Sequence, residues 1–87
     1  MATKKSFGFL NPIVVQFDDG ILTIKQAGKK VSLTTDEIKS VRAERRTFRG
    51  HVLAIDTNSD TLYFKARTEK NALEAVKYIK GLISQTG

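Results

Sequence analysis

Four arginines stand close together in the stretch RAERRTFR: Arg42, Arg45, Arg46 and Arg49. A guanidinium is planar, permanently charged and able to hold two oxygens of a phosphate or carboxylate at once. Lys29 and Lys30 follow a Gly-bearing turn, and Lys4 and Lys5 lie near the N-terminus. The candidate anion-binding set is therefore Lys29, Lys30, Arg42, Arg45, Arg46 and Arg49, with Lys4 and Lys5 able to assist. A plainer reading stands beside it. Arg42 and Arg46 share a strand face with Glu44 between them, and a solvated, self-paired face of this kind contributes little.

Other chemistry is sparse. His51 is the single histidine and the chain has no cysteine, so no metal-ligand set is formed. Asp18 and Asp19 precede Gly20, which fits turn residues better than an acid–base pair. Neither a nucleophile elbow nor a phosphate-cradling glycine loop occurs. No catalytic residue, cofactor or metal is expected, and the chain reads as a non-enzyme. The stretch KKSFGFLNP resembles an RNA-stacking signature, because Phe7 and Phe9 are two apart and would share one face of a strand. Ser6 stands where a glycine would be needed and Pro12 where an aromatic would be. Two core-facing aromatics on a first strand are the simpler expectation.

The 87 residues suffice for one domain. The expected division is a flexible basic segment at 1–5, one domain at 6–84 and a polar tail at 85–87. With 15 basic and 9 acidic residues, the formal charge is +6. Such a field favours anionic partners, whether acidic lipid, nucleic acid or acidic protein. No apolar run approaches the roughly 20 residues of a membrane span. The N-terminal lysines are not followed by a signal-peptide apolar core.

These residues need elements to position them. Period-two alternation between Gly-bearing turns predicts strands at 7–10, 13–17, 21–26, 30–34, 40–46, 51–56 and 61–66. Asp19-Gly20 predicts a two-residue hairpin turn. Thr34 and Glu37 have capping-box spacing, which predicts one helical turn bringing Ile38 onto the core. Ala72, Val76, Ile79 and Ile83 then form the stripe of an amphipathic helix, capped by Thr68 or Asn71. The fold class is α+β, mainly β: a strongly bent antiparallel sheet or partial barrel of five to seven strands, capped by one C-terminal α-helix.

That order of elements, with the segments VVQFDDGILTIKQ, VSLTTDEIKSV and GHVLAIDTNSDTLYFKARTEKNALEAVKYIKGLI, resembles the pleckstrin-homology-like (PH-like) fold. The likeness is to the small bacterial domains of unknown function in particular, and covers about residues 6–84. The resemblance implies a cytoplasmic binding or assembly module that acts through protein–protein contact or self-association. Two alternatives stay open: peripheral binding of acidic lipid headgroups at the inner membrane face through the basic loops, and nucleic-acid binding by the same surface.

Overall fold

The computed structural model describes residues 3–47 and 50–86, without the side chains of Gln85 and Thr86. Among these residues seven strands, one short 3-10 turn and one helix follow in order: β1 (Thr3–Phe7), β2 (Ile13–Asp18), β3 (Ile21–Gln26), β4 (Lys29–Thr34), the turn Thr35–Glu37, β5 (Ile38–Arg46), β6 (Gly50–Thr57), β7 (Thr61–Lys65) and α1 (Glu69–Thr86). They pair as two antiparallel sheets, β1-β2-β3-β4 and β5-β6-β7.

Alternation decides which face is buried. Val15 and Ile24 face each other across β2 and β3, as do Phe17 and Leu22, and Leu22 faces Leu33 on β4. In the second sheet Val41, Leu53, Ile55 and Phe64 turn inward. The helix closes the core with Ala72, Ala75, Val76, Ile79 and Leu82. Its start is fixed by Thr68, whose hydroxyl accepts the Asn71 backbone N–H at 3.1 Å. The capping box also forms: the backbone N–H and the hydroxyl of Thr34 both donate to Glu37 Oε1, at 3.1 and 3.0 Å. Ile38 then packs half-buried against the core.

The structure corrects the expected PH-like architecture. A mainly-β domain with one C-terminal helix is present, but no single bent sheet or partial barrel. The two sheets are separate, and no strand ladder joins β4 to β5 or β7 to β1. A barrel removes its edges by continuous backbone pairing, and here that pairing stops twice. Sequence periodicity cannot reveal this, because it reports which side chains are inward and not which edges meet.

What joins the sheets at β7 is a side chain. Gln26 ends β3, and its Oε1 accepts the Lys65 backbone N–H at 2.9 Å. Its Nε2 donates to the Lys65 carbonyl and, at 3.1 Å, to the carbonyl of Asn11. One carboxamide thus imitates a bridge of β-sheet on the free edge of β7. Lys29 adds a second contact, Nζ to the Tyr63 carbonyl at 3.4 Å.

The first strand also differs from expectation. It spans Thr3–Phe7, so Lys4 and Lys5 pair with Gln16 and Val15 rather than preceding the sheet. Gly8, at φ 104°, ends it. The helix runs on to Thr86, into the segment read as a polar tail.

Two stability outcomes follow from this closure. Gln26→Ala leaves the outward Lys65 amide and carbonyl to water and should cost about 1–2 kcal/mol, measured by chemical denaturation. The neighbouring Ala27 is held at φ 47° with Gly28 at φ 82°, left-handed values that suit Asn-Gly. Ala27→Asn should therefore stabilise the domain by about 0.5–1 kcal/mol, seen as a higher midpoint in the same experiment.

Candidate anion-binding end

Antiparallel topology sends alternate turns to opposite ends of the molecule. The β1–β2 loop, the β3–β4 turn, the start of β6 and the β7–α1 junction meet around an open cleft of about 550 Å³, lined by Leu10, Asn11, Gln26, Gly50, Lys65 and Arg67 among others. The β2–β3 turn, the 3-10 turn and the β6–β7 turn lie at the other end. Six of the nine acids belong to that far end: Asp18, Asp19, Asp36, Glu37, Asp56 and Asp60. Glu44 lies mid-strand and is paired, while Glu69 and Glu74 are on the helix.

The near end collects cations. Lys25 and Lys30 stand directly opposite each other on β3 and β4, a like-charge juxtaposition that is unfavourable unless an anion is near. Lys65 and Arg67 flank the cleft. Among the described residues no carboxylate lines it.

The predicted set divides. Lys29 and Lys30 sit at the β3–β4 turn. Lys29 is engaged with the Tyr63 carbonyl and lies 4.9 Å from the Phe64 ring centroid, so its charge helps hold β7. Lys30 is exposed, and no carboxylate pairs with it among the described residues. Arg45 and Arg46 end β5 at the same end, opposite His51 and Gly50. Arg46 stacks its guanidinium 4.7 Å from the Tyr63 ring centroid and reaches Glu44 at 3.6 Å. Arg49 lies outside the described residues.

Arg42 belongs elsewhere. It bonds both oxygens of Asp56, Nε to Oδ2 and Nη2 to Oδ1 at 3.2 Å each, and it also pairs with Glu44. Ser40 and Thr61 donate their hydroxyls to the same Asp56 carboxylate. The hydrogen bonds from Ser40 first, and then from Thr61, hold the Asp56 carboxyl below the usual range; burial opposes them, and the Arg42 charge adds a smaller lowering. Arg42 is thus part of a cross-strand network that shields Val52 and Ala54, which are buried on the face turned away from the main core.

The aromatic pair also separates. Phe7 is 4% exposed, its ring centroid 5.6 Å from that of Tyr78. Phe9 is 88% exposed and Leu10 58%. The turn at Gly8 removes the shared face, so neither the stacking platform nor two core-facing aromatics results.

Sequence reasoning missed Lys65, Arg67 and Gln26, whose places depend on how the sheets meet. Lys25 does carry a sequence signal, since it lies with Lys29 and Lys30 beside a hairpin turn, and the register sets it opposite Lys30. Neither a protein-family model, nor a curated protein, nor a solved structure matches the chain. No helix among the described residues is long and apolar enough to cross a membrane.

The Asp56 network sets an acid limb of stability. A carboxyl depressed by folding stabilises above its unfolded value, about 3.9, and that contribution is lost as pH falls through the lower folded value. Wild type should exceed Asp56→Asn in thermal midpoint at neutral pH. The gap should close as pH drops below about 4, read by melts across an acid series.

Proposed function

We propose that the chain is a non-enzymatic assembly module that pairs with a second copy of itself through the open edge of β5. The observation that carries this reading is the contrast between the outer edges of the second sheet. On the outer edge of β7 the side chains of Gln26 and Lys29 reach the N–H and C=O of Lys65 and the carbonyl of Tyr63. Along the outer edge of β5, no backbone–backbone hydrogen bond to another element is made among the described residues.

Parity identifies the groups on that edge. The Lys65 N–H points away from β6, toward Gln26. Its partner Val52 must then direct its backbone groups to Glu44 on β5. Ala66 N–H donating to the His51 carbonyl at 2.9 Å agrees with this alternation. Val41, Ala43 and Arg45 therefore present outward N–H and C=O groups, which an extended partner strand can take without any side-chain motif.

Charge selects the partner and the register. A two-fold axis at Ala43 sets Arg42 opposite the partner's Glu44, and Glu44 opposite the partner's Arg42. Axes one residue to either side place Arg42 against the partner's Arg42, or Glu44 against the partner's Glu44, pairs that repel. With Ala43 central, Val41 and Arg45 exchange backbone bonds with Arg45 and Val41 of the other copy.

Light scattering at low and high salt tests this. The mass should be that of two chains at both, because backbone pairing is not screened as surface charge is. Ala43→Pro removes an N–H that faces outward and is tolerated on an edge, so it should halve the mass while the circular dichroism stays unchanged. A wild-type mass of one chain at both salts would reject the proposal.

A further inference from the structure

We infer that the cleft end of the molecule, led by Phe9 and Leu10, docks on an anionic lipid bilayer. The inference stands apart from the β5 edge and goes beyond the pairing proposed above.

Phe9 is the most exposed large apolar side chain among the described residues, and Leu10 follows it. They occupy the tip of the β1–β2 loop. That tip is held in shape: Asn11, at φ 52°, gives its carbonyl to Gln26, and Gly8 turns the chain at φ 104°. A Cβ at Gly8 would meet Asn71 Nδ2 at 3.5 Å and Pro12 Cα at 3.7 Å, so the loop base rests against the start of α1. Two apolar side chains on a braced loop lose little freedom when they enter another phase.

The surroundings decide which phase. Lys65 and Arg67 border the cleft beside Leu10, and Lys25 and Lys29 border a shallow depression at Pro12 on the adjoining hairpin. Among the described residues neither depression has a carboxylate in its lining. Six acids lie at the far end, so the molecule carries a charge separation that orients this end toward a negative surface. Glu69, just beyond Arg67, is the nearest acid in sequence. A protruding Phe-Leu pair ringed by long cationic side chains matches the headgroup boundary of an anionic membrane, where apolar groups enter and Lys and Arg reach phosphates. A nucleic acid would use the same cations, but a stacking surface needs more than one exposed aromatic, and Phe7 is buried.

The chain contains no tryptophan, so Phe9→Trp supplies a single reporter at an exposed position. The variant is mixed with vesicles of phosphatidylcholine alone, or of phosphatidylcholine and phosphatidylserine, with and without bromine on the acyl chains. The expected result is sedimentation with the phosphatidylserine vesicles only, a blue shift of emission, and quenching by the brominated chains. Phe9→Ser should lower partitioning about tenfold, and each of Lys25→Glu and Arg67→Glu by about fivefold or more. The Ala43→Pro background should behave the same way. Sedimentation without blue shift or quenching would overturn insertion. Absence of sedimentation, or binding to a single-stranded oligonucleotide in place of vesicles, would overturn the bilayer as partner.

Discussion

The side-chain amide of Gln26 is the contact on which the arrangement of this protein depends. A two-sheet domain must deal with the edges at which its sheets fail to join. Here one carboxamide takes the N–H and C=O of Lys65 and the carbonyl of Asn11 together. It therefore fixes the edge of β7, the base of the β1–β2 loop and the end of the β3–β4 hairpin at one point. The hairpin carries Lys29 and Lys30, the loop carries Phe9 and Leu10, and β7 leads into Arg67. The clustering of cations around an apolar tip is a consequence of where that amide sits.

The same closure explains an asymmetry. A side-chain bridge satisfies a few backbone groups, whereas a strand would satisfy a whole edge. It covers β7 and leaves β5 untouched. The two surfaces also have different physical characters: the β5 edge offers backbone groups, whose pairing salt screens little, while the cleft end offers exposed charge, whose attraction for an anion salt would screen. Antiparallel pairing of two β5 strands would turn the two cleft ends away from each other, so each would meet a separate surface. Local strain lies at the cleft end as well. Ala27 holds a left-handed conformation and Lys25 faces Lys30, both at the hairpin that bears Gln26.

Much of this was legible in the residues. Alternation located β2 and the strands after it to within a residue or two, because each has one wet and one dry face. The stripe of Ala72, Val76, Ile79 and Ile83 located the helix, and Thr34 with Glu37 located the short turn before β5. The first strand was misplaced because Gly8 reads as a residue between two aromatics, while its positive φ ends the strand at Phe7. The barrel-like closure was an inference from the order of elements, and order does not say which edges meet. Of the candidate cations, Arg42 looked equivalent to Arg46 in spacing. Only the register, which sets Asp56 diagonally across from it, shows that Arg42 is held in an internal network. Lys65 and Arg67 gave no local signal, since their role depends on the approach of a distant loop.

A side chain, not a strand, closes the edge of β7. Residue-resolved amide hydrogen exchange on the native protein tests it most directly. Tyr63 and Lys65 point their N–H groups to the same edge, and among the described residues only that of Lys65 has an acceptor, Gln26 Oε1. Lys65 should exchange slowly and Tyr63 fast, with Phe64 protected by its ladder to β6. Equally fast exchange at Lys65 and Tyr63 would contradict the clamp, and equally slow exchange would mean that a backbone partner covers the whole edge.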